Sequence, residues 1–492
     1  MGSSPIHRTR NFSSGVSLGF FVTGGDISMK KIFLLVLSCI LHCLLLFFPR
    51  MASAEETPLD RAQLELLCAM VSASSYDRDL NLVVRRRLQE MGWEYEPIVE
   101  MSSAAVANIF LVHKQLSSTD EEIYILAVRG TSNAKDAAVD FRFRMVPFGG
   151  TRPKEFFLTA SRSDLGASYP AVHQGFNDYA MTALFRNSIG LRIDNGTFGE
   201  LLVRELLEHP HRKLILTGHS LGGAVAVLTA ARMSDMGVPA NQLDVIAFGA
   251  PAVGNASFVQ QYEPRFSLSC ISIEGDPVKN ILQTIYGGYV PFGRSIERKE
   301  NRNSRRFSHE MVVYLDDAIR NFYDVRKEFP ESTMNYLEET RPSAKARVYV
   351  PRMQFRLDCL IANDEEYMRM AARDALAGRI SDPVFGEENE KTSLLALCEE
   401  GRAHGCDYIL LEEFAGKRIK EDTYNFRITM EEHLYDVDGH FLGGQSTSTT
   451  TKKMTPIEAV LYVQMAGQEL RENTIASNSP AQDRAPIIQV KK

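Results

Sequence analysis

Short apolar, β-branched runs alternate with stretches of helical periodicity along residues 57–329. Helical patterns cover residues 199–207 and 223–233, and the small side chains of the second one permit close packing on a sheet. This alternation predicts an α/β fold in which helices cover a mainly parallel central sheet, and we assign it to residues 55–329. The runs with the strongest strand pattern, each ending at a glycine, a proline or another turn former, are residues 123–128, 213–216, 243–248 and 267–273.

A change of composition separates this region from the rest of the chain. Residues 330–345 are charged, contain prolines and show no sustained apolar stripe, so they predict a linker. We expect a small α+β domain at residues 346–474 and a disordered tail at residues 475–492. The pattern does not indicate the role or the partner of that small domain.

Within the small domain, the dipeptide Asp438-Gly439 predicts a two-residue hairpin. Pro456 opens a helical pattern that we follow over residues 457–472. The opening of a calcium-binding loop is also present at residues 436–439, but the twelfth position lacks its glutamate, so we expect a plain turn. The strand patterns cover residues 406–413 and 424–435.

The N-terminal region carries a targeting pattern. Lys30 and Lys31 precede seventeen residues without a charge, 32–48, and Ala54 closes a small-residue A-x-A sequence. A basic start, an apolar middle and a small-residue end predict a secretory signal peptide at residues 29–54.

A signal peptide at this position has two consequences. Met29 is then a better start than Met1, and residues 1–28 are a non-native or untranslated extension. The mature protein would be secreted or periplasmic. The alternative is an uncleaved membrane anchor formed by residues 32–48, because seventeen apolar residues reach the lower limit for spanning a bilayer.

Composition and charge narrow the classes of function that the chain could have. The chain is 44% hydrophobic and 24% charged, which is typical of a folded globular protein. The net charge of −7 gives no electrostatic reason for binding nucleic acid, whose phosphates attract clustered lysine and arginine. One basic run, residues 294–306, suits either a solvated loop or a contact with anionic head groups.

Five cysteines follow residue 54, which is too few and too odd a number for a disulfide scaffold. Cys398 and Cys406 are eight residues apart across a predicted helix-to-strand turn. They either form a disulfide in an oxidising compartment or stay as two buried thiols.

The sequence G-H-S-L-G at residues 218–222 lies directly after a predicted strand and directly before a predicted small-residue helix. In α/β-hydrolases such a strand–turn–helix holds a nucleophilic serine clear of the sheet, and the glycines leave room for the sharp turn. Ser220 is therefore the predicted nucleophile.

A serine nucleophile needs a histidine base, and the base needs a carboxylate that orients it. In this fold they follow the serine in the order Asp, His. Asp276 directly follows the predicted strand at residues 267–273, and His309 is the only later histidine within the first domain. We predict Asp276 and His309 in these roles. The remaining late histidines, to which we assign structural or surface positions, are His404, His433 and His440.

An oxyanion develops during acyl transfer and needs hydrogen-bond donors. The backbone N–H of Leu221, the residue after the nucleophile, is one predicted donor. The turn after the strand at residues 123–128 contains Thr131, whose amide and hydroxyl suit a second donor, although such a turn is also an ordinary strand exit.

Across roughly residues 57–314 the chain resembles the fungal-type, or class 3, lipase family. Five segments match the family's pattern in order, and together they are highly specific. They are V-R-G-T at 128–131, V-H-Q-G-F at 172–176, T-G-H-S-L-G-G at 217–223, F-G-A-P-A-V-G-N at 248–255, and the neighbourhoods of Asp276 and His309.

The resemblance implies an α/β-hydrolase fold and hydrolysis of carboxylic esters of lipids through an acyl-enzyme, without a metal or other cofactor. It also implies Thr131 and Leu221 as oxyanion donors and His173 as a framework residue. Triacylglycerols, phospholipids and short esters all stay open as substrates. Two other functions suit the same residues: a non-catalytic binding protein on a hydrolase scaffold, and an acyltransferase.

In such lipases the region that corresponds to residues 134–169 covers the pocket. Here Phe141, Phe143 and Phe148 are interspersed with arginines. This alternation suits an interfacial flap, in which the phenylalanines contact lipid and the arginines contact head groups. It suits equally a surface strand with one buried face.

Expression of the chain from Met29 in a Gram-negative host should give a mature protein that begins at Glu55, because the signal peptidase cleaves after the A-x-A sequence. N-terminal sequencing of the purified protein checks this. Retention of residues 29–54 would support the membrane anchor instead.

Overall fold

The computed structural model describes residues 56–478 apart from residues 77, 102–105, 120, 131–143, 167, 187–195, 281–286, 300–305, 339–345, 378–379, 381–382, 387–392 and 421–423. The predicted signal peptide lies outside these residues. Glu56 and the residues after it form one compact unit. No helix of the described residues is long and apolar enough to cross a bilayer.

In chain order, the strands are β1 (Glu94–Met101), β2 (Val106–Gln115), β3 (Glu122–Val128), β4 (Met145–Pro147), β5 (Ala171–His173), β6 (Arg212–His219), β7 (Leu243–Phe248), β8 (Ser267–Ile273), β9 (Arg294–Arg298), β10 (Val348–Val350), β11 (Gln354–Leu357), β12 (Pro383–Phe385), β13 (Tyr408–Arg418), β14 (Phe426–Asp436) and β15 (Phe441–Thr450). The α-helices are α1 (Pro58–Ser74), α2 (Arg78–Glu90), α3 (Pro153–Ala160), α4 (Gln174–Leu184), α5 (Phe198–Glu208), α6 (Leu221–Asp235), α7 (Ala256–Tyr262), α8 (Met311–Glu328), α9 (Glu365–Ala377), α10 (Leu394–Ala403), α11 (Pro456–Ala466) and α12 (Gln468–Asn478).

The larger sheet has the strand order β1-β2-β3-β6-β7-β8-β9. From β3 to β9 all neighbouring strands are parallel, and β1 and β2 extend the sheet by antiparallel pairing. The four strands predicted from the sequence are β3, β6, β7 and β8. The predicted α/β-hydrolase fold, with a mainly parallel central sheet, is confirmed.

Alternate strand residues face opposite sides of this sheet. Ile123 and Ile125 pack with α1 and α8 in one hydrophobic cluster, whereas Leu126 and Val128 pack with α4 and α6 in another. Strands that are buried on both faces read as continuous apolar runs, which explains why the inner strands were visible in the sequence.

The sheet edges carry strands that the sequence pattern did not show. β1 contains Pro97 among several glutamates, and β9 is rich in charged residues, as edge strands commonly are. The loop interpretation of the basic run is wrong for residues 294–298, because β9 pairs with β8. There Arg298 forms ion pairs with Glu65 at 2.7 Å and with Asp317 at 2.8 Å.

The C-terminal region contains a second sheet of order β12-β10-β13-β14-β15, with β11 also paired to β13. The predicted hairpin is present, but its loop has three residues instead of two. The loop lies between Asp436 and His440, and the Asp436 N–H donates to His440 O at 3.0 Å. Gly439 has φ +89° there, as three-residue hairpin loops require.

The last predicted helix is two helices, α11 and α12, separated at Gly467. α12 continues to Asn478, so the predicted disordered tail starts too early, and residues 479–492 lie outside the described residues. Cys398 and Cys406 are buried thiols and are not bonded to each other.

The two sheets share one hydrophobic cluster, which contains residues of α1 and α8 together with residues of β13, β14 and α11. Polar contacts also join the regions. Arg306 donates to the carbonyls of Thr451 at 2.5 Å and Met454 at 3.1 Å, and Arg320 pairs with Asp364 at 3.0 Å. That residues 55–329 and residues 346–474 are separate domains stays a prediction.

A buried arginine fixes the segment that follows β4. Arg232 of α6 is fully buried, with its guanidinium carbon 3.5 Å from the ring centre of Phe148 and 4.2 Å from that of Phe156. It donates to Gly149 O at 2.9 Å and to Asn177 Oδ1 at 3.0 Å. Burial lowers the pKa of Arg232 only to about 10, so the side chain stays charged at neutral pH.

Replacing Arg232 by alanine should lower the free energy of unfolding by about 3 kcal/mol, because it leaves two buried acceptors without donors and opens a void between two rings. Urea denaturation measures the change. The matched control is Arg204→Ala on the exposed side of α5, which should change stability by less than about 0.5 kcal/mol. Equal losses in the two variants would contradict the anchoring role of Arg232.

Candidate active site

Ser220 occupies a sharp turn between β6 and α6, with φ 56° and ψ −125°. A non-glycine residue with positive φ is strained, and the surrounding backbone must hold it. A Cβ atom on Gly222 would lie 2.1 Å from Val128 O, and one on Gly218 would lie 2.5 Å from the backbone of Gly222. Both glycines are therefore required by close backbone approach, and the turn presents the Ser220 hydroxyl outside the sheet.

The structure brings the three predicted triad residues together. Ser220 Oγ lies 2.9 Å from His309 Nε2, and His309 Nδ1 lies 2.8 Å from Asp276 Oδ2. Asp276 follows β8 and His309 precedes α8, so both loops lie at the sheet edge where β6 ends. This arrangement allows the imidazole to accept the serine proton while the carboxylate fixes its orientation.

The Asp276 carboxylate is buried and fully engaged. It accepts hydrogen bonds from the Tyr314 hydroxyl and, at 2.8 Å, from the Val278 N–H, besides the contact with His309. Burial by itself would raise the pKa of Asp276, but the hydrogen bonds from His309 and Tyr314 outweigh it, and the pKa lies below its usual value. The carboxylate therefore stays ionised beside His309.

Two neighbours of the triad were not found from the sequence. Tyr314 lies five residues after His309 in the chain, and that spacing alone predicts no contact with Asp276. His219 is buried with its ring centre 4.6 Å from that of His309, and its Nδ1 lies 3.0 Å from the Tyr76 hydroxyl. Burial, together with the nearby His309, lowers the pKa of His219 to about 3, so His219 is neutral at ordinary pH.

The predicted oxyanion donors are described only in part. Leu221 is the first residue of α6, where backbone N–H groups have no acceptor within the helix. Thr131 lies outside the described residues. The residue before it, Gly130, is described, and its N atom would lie 3.0 Å from a Cβ atom added to Gly222. The exit of β3 thus adjoins the Ser220 turn, and the roles of both residues stay predictions.

The predicted flap divides into two parts. Phe141 and Phe143 lie outside the described residues. Phe148 is fully buried against Phe258 and Tyr262, with ring centres 5.2 and 5.3 Å away, so its assignment to an interfacial flap is wrong. The short strand β4, paired with β5, precedes it and matches the alternative of a strand with one buried face.

The other predicted histidines have structural or surface positions. His173 is buried and caps α4, accepting the Phe176 N–H at 3.2 Å through Nδ1. His404 and His433 are exposed in the C-terminal region.

One group of side chains in the described residues could hold a metal ion: Asp436, Asp438 and His440. It is largely exposed, and Asp436 already accepts the N–H groups of Asp438 at 2.9 Å and His440 at 2.8 Å. These hydrogen bonds are those of the plain turn predicted from the sequence.

Comparison with known proteins agrees with this site. Residues 125–284, which contain Ser220 and Asp276, match the family described as lipase (class 3). This segment belongs to the class 3 lipase family. The resemblance seen in the sequence motifs is thereby confirmed.

Matches to individual proteins are short. Toxin TseL of Vibrio cholerae is 34% identical over 100 residues, which are 20% of this chain and 13% of that protein. The secreted mono- and diacylglycerol lipase 1 of Fusarium solani is 46% identical over 80 residues, 16% of this chain and 23% of that lipase. The chain thus spans less than a quarter of the length of these two relatives.

Among solved structures, the lipase from Rhizopus microsporus var. chinensis is similar at 19% identity and a TM-score of 0.35, over 48% of this chain and 74% of that one. At that TM-score the likeness adds nothing to the topology described above.

A fluorophosphonate should label Ser220, because such reagents react with a serine that a neighbouring base activates. Mass spectrometry of the labelled peptide identifies the site. Ser220→Ala should abolish labelling and His309→Ala should slow it strongly. The matched control is Ser234→Ala, a serine near the end of α6 that donates to Ala231 O, and it should label at the parent rate. Labelling that survives Ser220→Ala would exclude this serine.

Proposed function

We propose that the protein is a serine hydrolase that cleaves carboxylic esters of lipids. The observation that carries the proposal is the unbroken chain of contacts from Ser220 Oγ through His309 to Asp276, at 2.9 and 2.8 Å. The membership of residues 125–284 in the class 3 lipases supports it. So do the names of two relatives, which are mono- and diacylglycerol lipases.

In the proposed reaction, Ser220 Oγ attacks the ester carbonyl and its proton passes to His309 Nε2. The carbonyl oxygen becomes an oxyanion, which the N–H of Leu221 and the donors of Thr131 would stabilise. Collapse of this intermediate breaks the bond to the alcohol, which takes the proton from His309. Water, deprotonated by His309, then attacks the acyl-enzyme and releases the carboxylic acid and free Ser220.

Asp276 and Tyr314 act on the reaction through His309. An ionised Asp276 keeps the proton of the neutral imidazole on Nδ1, so Nε2 is free to accept from serine, and it stabilises the imidazolium that forms. The buried Tyr314 hydroxyl holds the carboxylate in place. Neutral His219 packs beside His309 without adding a competing charge.

We also propose that the protein is secreted or periplasmic through a signal peptide at residues 29–54. The basic, apolar and small-residue pattern there supports this, as do the names of fungal relatives described as secreted lipases. An anchor formed by residues 32–48 is the alternative that N-terminal sequencing distinguishes.

Hydrolysis of matched triglyceride, diglyceride, phospholipid and short-chain ester panels tests the function. Turnover of at least one lipid ester is expected, with kcat/KM lowered about 10⁴-fold in each of Ser220→Ala, Asp276→Asn and His309→Ala. Circular dichroism should show all three variants folded, and Ser234→Ala is the control with parent activity. Near-parent rates in any triad variant would contradict its assignment.

Product analysis with an added alcohol acceptor separates hydrolase from acyltransferase. We expect free acid as the main product, because the proposed second step uses water. Transfer to the alcohol at the expense of acid would identify an acyltransferase, and no reaction together with no labelling would support the binding protein.

A further inference from the structure

A cavity of about 710 Å³ lies where helices of the two sheets meet. Its walls come from α1, α2 and α8, from residues 335–338, and from α9 and α11 of the C-terminal region. Its volume falls in the range of about 300–1,000 Å³ that is usual for small-molecule sites. Ser220, Asp276 and His309 are not among its lining residues, so it is separate from the candidate active site.

The walls are mainly apolar. Leu66, Ile319 and Phe322 contribute branched and aromatic side chains, and Met70 and Met465 contribute flexible thioethers that adapt to the shape of a ligand. Such walls favour a hydrocarbon chain as the occupant.

Two side chains of the lining each have a buried oxygen atom without a hydrogen-bond partner among the described residues. These atoms are Gln63 Oε1 and Glu458 Oε1, in side chains of residues that are 8% and 3% exposed. Glu458 uses its other oxygen to accept the Thr455 N–H at 2.8 Å, which caps α11. A buried polar atom left unpaired costs roughly 1–3 kcal/mol. Protein encloses both atoms, so a ligand in the cavity reaches them only after a rotation of the side chain, and a polar group that meets the rotated oxygen would remove that cost.

The chemistry of these atoms indicates the head group. Gln63 Oε1 accepts a hydrogen bond, so the ligand must supply a donor. Burial raises the pKa of Glu458 well above its usual value, which favours the protonated carboxyl, a group able to donate through Oε1. A hydroxyl group both donates and accepts, so it suits both atoms.

Both arginines of the lining have a carboxylate partner. Arg326 lies 2.7 Å from Asp374, and Arg87 lies 3.8 Å from Glu90. Because each arginine has a carboxylate partner, an anionic head group would gain little here. A neutral head group is therefore favoured over a fatty-acid carboxylate.

We propose that this cavity is a second lipid site, which binds a single-chain lipid with a neutral, hydroxyl-bearing head group of the alkylglycerol type. The proposal goes beyond ester hydrolysis, since binding here does not require turnover at Ser220.

Isothermal titration of the full chain with 1-O-dodecylglycerol, an ether lipid that no esterase cleaves, tests the proposal. The Ser220 site is first blocked with a long-chain phosphonate, so that only binding elsewhere is measured. We expect saturable binding of one molecule per chain, and at least tenfold weaker binding of dodecanoic acid.

Two variants place the ligand in the cavity. Gln63→Leu removes the unpaired acceptor and should weaken binding about tenfold, whereas Gln89→Leu on the exposed side of α2 should leave it unchanged. Ala375→Trp fills the cavity and should abolish binding. Unchanged fluorophosphonate labelling of Ser220 and an unchanged circular dichroism spectrum show that each variant is folded.

Absence of saturable binding, or equal binding by the parent and both cavity variants, would overturn the proposal. Tighter binding of dodecanoic acid than of the ether lipid would overturn the neutral head group. Loss of ester hydrolysis with retained binding would count against the proposed function alone, so the two proposals fail separately.

Discussion

The left-handed backbone of Ser220 is the constraint on which the site depends. Such a conformation costs roughly 1–3 kcal/mol at a non-glycine residue and persists only where its surroundings enforce it. Here the hydrogen bond from Ser220 N to Phe248 O, at 2.9 Å, ties the turn to β7, and the close approach of Gly222 to Val128 O ties it to β3. The turn is thus held from both sides by the central strands.

The parallel sheet also explains how distant residues meet at that turn. The carboxyl ends of parallel strands lie at the same edge, so the loop after β8 brings Asp276 to the edge where β6 delivers Ser220. His309 lies just before α8, and from there its side chain contacts both Ser220 and Asp276. Tyr314, in the first turn of α8, donates to the carboxylate of Asp276, so His309 and the tyrosine that fixes its partner lie close together in the chain.

The sequence predicted the parts of the molecule that are set by local pattern. Buried strands are continuous apolar runs, and the Ser220 turn needs glycines at fixed positions, so both were visible. The alternation around Phe148 suited both a flap and a strand with one buried face, because it shows that a strand has two faces but not which face meets the core. Tyr314 and the Tyr76–His219 contact depend on tertiary packing, and nothing in their spacing indicates them. The cavity also depends on tertiary packing, since two of its lining residues, Gln63 and Glu458, lie in helices almost 400 residues apart in the chain.

The contact of Arg306 with the carbonyls of Thr451 and Met454 links the base to the C-terminal region, because Arg306 lies three residues before His309 and also pairs with Glu310 at 2.7 Å. Met454 in turn lies just before α11, the helix that carries Glu458. Coupling between two sites is reciprocal in binding free energy. Any effect that a ligand at α11 has on the affinity of the Ser220 site must therefore be matched by an equal effect of a ligand at Ser220 on the affinity of α11.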